Sequence, residues 1–187
     1  DFESVDFLEE LGVSVYKIAS MDLVNIPLIR YVAKTNKTMI ISTGMSTIGQ
    51  IEEAVDAVRE EGNKNLILLH CNSSYPASPN EMNLKVIDNL KRIFKVPVGL
   101  SDHTFGLFVS HTAIALGANI IERHFTLDRT MKGGDHSASL EEPGLIKLIR
   151  DIKIMEVALG IPEKTKLKSE KECFIKLSKS LVSTRKI

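Results

Sequence analysis

Tryptophan is absent from this sequence, and aromatic residues fill only 5% of its 187 positions. Cysteine is nearly absent as well. Cys71 and Cys173 are the only two, too few for the disulfide framework of a small secreted domain, so a reducing cytoplasm is the expected setting. No apolar run approaches the roughly 18–20 residues that span a bilayer. No signal-peptide pattern opens the chain, which starts at Asp1-Phe2-Glu3 inside what reads as a helix. An excess of charge is missing too: 24 Lys and Arg balance 24 Asp and Glu, leaving no global attraction to nucleic acid or an anionic membrane. CxxC pairs, a P-loop, a GxGxxG turn and aromatic residues interleaved with basic ones are all lacking. What is present is a globular composition, 43% hydrophobic, long enough for one domain with a sizeable core.

Short β-branched apolar runs alternate with amphipathic stretches. Strands are expected at Val13–Ala19, Thr38–Ser42, Leu66–His70, Val96–Leu100 and Asn119–Glu122, each apolar enough to be buried on both faces of a parallel sheet. Helical spacing predicts helices over Ser4–Leu11, Asn25–Thr35, Thr47–Glu61, Asn83–Phe94, Thr104–Leu116 and a Pro143-initiated Gly144–Leu159. Gly12, Gly62 and Gly117 stand where a helix would hand over to the next strand. The alternation implies an α/β fold with right-handed crossovers.

Both an open doubly wound sheet and part of a closed barrel fit that alternation. The polar residues favour the barrel. Lys17 and Ser20 follow the first strand, Ser42-Thr43-Gly44 the second and His70-Cys71-Asn72-Ser73-Ser74-Tyr75 the third. Ser101-Asp102-His103 and Glu122-Arg123-His124 follow the last two. Reactive groups after every strand are the habit of a (β/α)₈ barrel, whereas an open sheet gathers them at one switch point. Eight units need about 250 residues; the five here read as the last five βα units of a partial TIM barrel over residues 1–162, with three strands missing from the front. Residues 163–187 differ in character. Seven Lys and one Arg against three Glu give this tail a net +5 and leave −5 for the rest, which fits a solvated basic segment or a linker to another domain.

His103 and His124, just past adjacent strands, are placed to converge on one metal, although a histidine at a strand end is often only a hydrogen-bonded structural residue. Two imidazoles plus water suit a replaceable divalent ion such as Mn²⁺ acting as a Lewis acid. Lys17, Ser20, Ser42, Thr43, Ser73, Tyr75 and Ser101 describe a phosphate or carboxylate pocket; the plainer alternative is that the hydroxyls cap the following helices. Lys17 resists that alternative, because a lysine inside an apolar strand needs a counter-charge. Asp135, in the glycine-hinged loop Lys132-Gly133-Gly134-Asp135-His136-Ser137, is a candidate acceptor for a polyol, with His136 beside it; otherwise the segment is a loop tip. Glu122 either orients a metal-bound water or pairs with Arg123 or another cation. His111, His70 and Cys71 read as structural.

Taken in order, Lys17-Ile18-Ala19-Ser20, Ser42-Thr43-Gly44-Met45, His70-Cys71 with Tyr75-Pro76, Gly99-Leu100-Ser101-Asp102-His103-Thr104, Ile121-Glu122-Arg123-His124-Phe125-Thr126 and Gly134-Asp135-His136 resemble the sialic acid synthase family. That family comprises the phosphoenolpyruvate-dependent N-acetylneuraminate, legionaminate and pseudaminate synthases. The resemblance runs over nearly the whole chain and does not choose among these products. It departs from the family pattern at Ser73, where many relatives carry Asn or Ala.

The resemblance implies strands four to eight of an N-terminal barrel, then a linker to an antifreeze-like domain approached at Lys179-Ser180-Leu181-Val182, within a domain-swapped homodimer. The family's early glutamate and a lysine and glutamine of its pocket would lie in the absent front. His103 and His124 would hold Mn²⁺, with Mg²⁺ or Co²⁺ as alternatives. Lys17, Ser20, Ser42, Ser73, Tyr75 and Ser101 would grip phosphoenolpyruvate. Asp135 would bind the hydroxyls of an N-acetylated hexose, and Asp135 and Glu122 would serve catalysis. The implied reaction makes a nine-carbon 2-keto sugar acid and releases phosphate, with neither nucleic acid nor membrane as partner. Two alternatives stand beside it: a metal-dependent aldolase or other phosphoenolpyruvate enzyme on the same barrel, and a catalytically incompetent binding or scaffold fragment. On the first reading, the 187-residue chain alone is expected to be inactive.

Overall fold

The structure is a computed structural model describing residues 1–180, 182 and 184–186. Six helices and five strands alternate through α1 (Phe2–Glu10), β1 (Val15–Ile18), α2 (Ile26–Ala33), β2 (Thr38–Ser42), α3 (Ile48–Glu60), β3 (Leu66–Cys71), α4 (Val86–Phe94), β4 (Val98–Asp102), α5 (Phe108–Ala115), β5 (Ile121–Arg123) and α6 (Glu142–Leu159). A short α7 (Lys171–Leu177) follows within the basic tail. Gly12, Gly62 and Gly117 take φ of +72°, +83° and +92°, the left-handed step that ends a helix and turns the chain into the next strand. Among the described residues, no helix is long and apolar enough to cross a membrane.

All strand pairs are parallel, and the spatial order β1-β2-β3-β4-β5 is the sequence order. An unreversed order means that every right-handed crossover lies on the same side of the sheet. The result is a half-barrel with helices outside and a hollow inside, and no switch point of the doubly wound kind.

Register then sorts the side chains by a period of two. Tyr16, Ile18, Met39, Ile41, Leu66, Leu68, Val98 and Leu100 join the core beneath the helices, with Leu23, Ile29, Val55, Ile87 and Leu90. Their alternates face the hollow: Lys17 pairs in register with Ile40, Cys71 with Ser101, and Ser101 with Glu122. Burial on both strand faces holds for β4, all of whose residues are buried. It fails for β1, which alternates exposed and buried, and for β5, which is half-buried throughout. These two strands form the sheet's edges, and half their side chains point into the open hollow.

Two helices begin later than expected. α5 starts at Phe108 because Thr104 turns its N–H and hydroxyl to Asp102 Oδ1, at 2.9 and 2.8 Å, and Gly106 takes φ +76°. α4 starts at Val86, after Asn83 at φ +44°. From Gly160 through Ser180 the tail is exposed. Of the expected approach to a second domain, Leu181 lies outside the described residues.

Candidate active site

Alternation places the ends of the strands' inward rows together. Lys17, Ser20, Ser42, Cys71, Ser73, Tyr75, Ser101, His103, Glu122 and His124 line one cavity of about 370 Å³ at the C-terminal edge of the sheet, with Ala19, Met21 and Met45. Of the residues expected in the site, Thr43, Asp135 and His136 do not line it; Thr43 is buried, its Oγ1 donating to the Leu69 carbonyl at 3.0 Å. Asp135 stands at the rim, exposed, with Oδ2 3.7 Å from His124 Nδ1.

The electrostatics run across the hollow. Lys17 Nζ on β1 stands 3.6 Å from Glu122 Oε2 on β5, and Ser101 Oγ donates to Glu122 Oε1 at 2.7 Å. Glu122 therefore pairs with Lys17. Arg123, the other partner considered from sequence, lies on the opposite strand face and bonds Asp102 at 2.6 Å. Ser42, 2% exposed, has a buried Oγ without a hydrogen-bond partner among the described residues. A buried hydroxyl without a partner carries a desolvation cost that a ligand oxygen would remove. Gly44 N–H donates to Ser20 Oγ at 3.1 Å. A side chain at Gly44 would run into the Ser73 hydroxyl and come within 2.8 Å of Ser20 Oγ, so glycine keeps the floor of the cavity open.

The aromatic groups form a cluster. Tyr75 stacks on His103 at 4.0 Å between ring centroids, and His124 meets both edge-on, 5.4 Å from Tyr75 and 5.3 Å from His103. His103 Nδ1 lies 2.7 Å from the Asn72 carbonyl. A carbonyl only accepts, so Nδ1 carries the hydrogen, and in the neutral ring Nε2 keeps the lone pair. Burial disfavours charge on His103, but the Cys71 thiol and the Asn72 carbonyl outweigh it and hold its pKa above the ordinary histidine value. Burial likewise pushes the Cys71 thiol up, while His103, Ser20 and Ser101 pull it further down, to a net value below that of a free thiol. Burial, then the charges of Cys71, Asp135 and Glu122, raise the Tyr75 phenol.

Among the described residues, no group of three or more His, Cys, Asp or Glu side chains is placed to enclose a metal ion. Two facing imidazoles, one fixed in its tautomer by a backbone carbonyl, fit an open divalent site whose other positions are left for water or a substrate oxygen.

Adjacent residues with one sequence reading part company in the structure. His70 and Cys71 both read as structural, yet they point oppositely. His70 Nε2 bonds the Met82 carbonyl at 2.6 Å on the helix side, whereas Cys71 faces the cavity. His136 Nδ1 bonds Thr126 Oγ1 at 2.7 Å and does not line the cavity. His111 packs between α5 and α6, 3.9 Å from Asp151 Oδ2. The buried Asp102–Arg123 pair was missed. Its signal was two opposite charges at the ends of neighbouring strands, each one residue before a histidine.

Fold and site together define a class: a (β/α)-barrel protein whose strand ends carry a hydroxyl-lined cavity with a lysine–glutamate pair beside two histidines. Comparison with known proteins narrows this. The profile of the NeuB family matches residues 1–164, and the chain belongs to that family. It is 47% identical to the N,N'-diacetyllegionaminic acid synthase of Campylobacter jejuni, over all of this chain and 57% of the relative. It is 42% identical to the human N-acetylneuraminate-9-phosphate synthase, over all of this chain and 52% of the relative. The chain thus spans about half the length of these relatives. Among solved structures, the N-acetylneuraminic acid synthetase of Leptospira borgpetersenii, in complex with citrate, superposes with a TM-score of 0.85 at 37% identity, covering 95% of this chain and 63% of that one. A truncated 3-deoxy-D-arabino-heptulosonate 7-phosphate synthase of Thermotoga maritima shares the fold at 20% identity, with a TM-score of 0.71 over 80% of this chain and 60% of that one.

Proposed function

We propose that the protein containing this chain condenses phosphoenolpyruvate with an N-acetylated hexose, N-acetylmannosamine or a close analogue, to a nine-carbon 2-keto sugar acid. The observation that carries this reading is the cavity itself. A lysine, four serine hydroxyls and an unpartnered Ser42 Oγ among them face two imidazoles across a space of about 370 Å³. The relatives' names give the product class; the choice among nonulosonates belongs to the complete protein.

Lys17 is held by Glu122 at 3.6 Å, with both side chains over a third exposed. Such a pair is worth little in water, so a phosphate or carboxylate can take the ammonium. Ser20, Ser42, Ser73 and Ser101 supply the hydroxyl donors, and Tyr75 closes one wall. His103 and His124 would hold a divalent cation, Mn²⁺ by preference, with Mg²⁺ or Co²⁺ as alternatives; when bound, it supplies Lewis-acid polarisation of the sugar aldehyde. Asp135, at the rim beside His124, would accept hydrogen bonds from the sugar hydroxyls.

The enol C3 of phosphoenolpyruvate bonds to the aldehyde carbon, and the aldehyde oxygen becomes a hydroxyl. Water adds to the cationic C2, and the C2–O bond to phosphate breaks, leaving a ketone and orthophosphate. Glu122, turned toward this space by Lys17 and Ser101, would take the proton from the attacking water at a carboxylate oxygen. The fixed carboxylate would also stabilise positive charge developing at C2.

The complete protein is proposed to act as a cytoplasmic homodimer. The 187-residue chain alone is expected to associate and to turn over little, because β1 and β5 form sheet edges and Phe7, Ile146 and Ile154 are exposed on α1 and α6.

The test is a screen of the full-length protein with phosphoenolpyruvate, a divalent cation and several N-acetylated hexoses. Equimolar orthophosphate and a nine-carbon 2-keto acid are expected; product without orthophosphate would identify an aldolase instead. His103→Ala with His124→Ala should abolish Mn²⁺ stimulation, and unchanged stimulation would refute the histidine assignment.

A further inference from the structure

We propose that the buried Asp102–Arg123 pair is a positioning device that sets the spacing of His103 and His124 and thereby tunes their affinity for a divalent cation. This rests on reading the two histidines as cation ligands.

Asp102 on β4 and Arg123 on β5 are direct parallel partners, one step beyond the Ser101–Glu122 partners. Alternation sends Ser101 and Glu122 into the cavity and Asp102 and Arg123 to the helix side. One residue later, His103 and His124 turn inward again. The charged pair therefore ties the two strands together immediately before the positions where each must present its imidazole.

The ties are dense and short. Arg123 Nη1 donates to Asp102 Oδ2 at 2.6 Å, with the two side chains 4% and 0% exposed. Ser110 Oγ on α5 donates to the same oxygen at 2.5 Å. Asp102 Oδ1 accepts from Thr104 N and Oγ1, at 2.9 and 2.8 Å, which fixes the turn just after His103. Arg123 Nη2 donates to the Thr104 carbonyl at 2.8 Å and to the Ala138 carbonyl at 3.4 Å. The same guanidinium thus holds the turn beside His103 and the loop carrying Asp135, whose carboxylate approaches His124.

A buried ion pair is a weak source of stability, because the desolvation of both charges offsets their attraction, and well-packed apolar residues often serve as well. An apolar pair, however, could not hold Thr104 and Ala138 through directional bonds. Outer partners that fix ligand orientation ordinarily govern metal affinity, and the fork geometry of arginine, which lysine lacks, is what spans these carbonyls.

The experiment uses the full-length protein with Arg123→Lys, Asp102→Asn and Thr104→Val. Free Mn²⁺ is followed by its electron paramagnetic resonance spectrum, phosphoenolpyruvate binding by calorimetry, and folding by thermal melts. Arg123→Lys, keeping the charge but losing the fork, should weaken Mn²⁺ binding about 10- to 100-fold while phosphoenolpyruvate affinity stays at the wild-type value. Asp102→Asn should act in the same direction. Thr104→Val removes one bond and neither charge; it guards against failure of the other two to fold, and should weaken Mn²⁺ binding by a smaller factor. Folded variants that bind Mn²⁺ as the wild type does would overturn the proposal. So would parallel loss of Mn²⁺ and phosphoenolpyruvate, the mark of a merely structural role. A wild-type protein that leaves the Mn²⁺ spectrum unchanged would overturn the histidine reading itself, a result distinct from either.

Discussion

Lys17 Nζ lies 3.6 Å from Glu122 Oε2, a contact that joins the first strand of the sheet to the last across its hollow. Neither residue is near the other in sequence or in strand order; the curvature of the half-barrel brings them together. The contact gives the lysine a counter-charge without removing it from solvent. On the proposed reading, an arriving phosphate or carboxylate would replace the glutamate and leave it beside Ser101 to take a proton.

Replacing that lysine therefore has a selective effect. Lys17→Ala should raise KM for phosphoenolpyruvate on the order of 10- to 100-fold, the equivalent of a charge-assisted hydrogen bond of about 1.5–3 kcal/mol. KM for the sugar should change little. Steady-state kinetics with each substrate varied in turn make the comparison, and equal increases in both would contradict the assigned role.

Gly44 acts by what it lacks. The methyl of Gly44→Ala would collide with Ser73 Oγ and lie 2.8 Å from Ser20 Oγ and 3.3 Å from Cys71 Sγ. Phosphoenolpyruvate binding should fall at least tenfold, about 1.4 kcal/mol, because the added carbon displaces the hydroxyls proposed to grip it. Calorimetry checks this; unchanged affinity in the folded variant would show that the anion sits elsewhere.

Removing Asp102 leaves a buried guanidinium without its counter-charge. Asp102→Ala should destabilise the fold by about 3–5 kcal/mol, read from chemical denaturation of the full-length protein. A loss below about 1 kcal/mol would mean that solvent or another group compensates Arg123.

His70 gives the fold a defined acid sensitivity. Burial is the largest influence on its pKa and lowers it below the ordinary value, against the Met82 carbonyl, which raises it. The unfolded chain therefore binds the proton more readily than the folded one. This contribution to stability is present above the unfolded pKa of about 6.5 and is lost as pH falls from there toward the depressed folded value. His70→Gln, which can still donate to the Met82 carbonyl, should flatten the stability–pH curve in that window. Denaturation midpoints between pH 7 and pH 5 measure it, and an unaltered slope would contradict the assignment.

Much of this was legible in sequence for a physical reason. Strand ends such as Ser42-Thr43-Gly44 and Ser101-Asp102-His103 interrupt apolar runs, and polar residues at the same end of every strand leave few folds to choose from. Strand boundaries were less legible, because Ser101, Asp102 and Arg123 continue the backbone pairing while looking like loop residues. Facing was the real gap. His70 and Cys71 are adjacent and similar in composition, and only the register shows that one packs beneath a helix and the other enters the cavity. The Lys17–Glu122 contact depends on sheet curvature, which a pattern of hydrophobicity does not encode. Gly44 stands in sequence only as the end of Ser42-Thr43-Gly44, and the groups it makes room for, Ser20 after β1 and Cys71 and Ser73 at and after the end of β3, are distant in sequence.

On the proposed reading, this cavity binds phosphoenolpyruvate for carbon–carbon bond formation with rupture of the C2–O bond. That reading is tested most directly by running the full-length protein with phosphoenolpyruvate, an N-acetylated hexose and Mn²⁺ in ¹⁸O-enriched water and analysing the released phosphate. Stoichiometric orthophosphate free of ¹⁸O is expected, together with a nine-carbon 2-keto acid. Phosphate carrying ¹⁸O, or no phosphate at all, would contradict it.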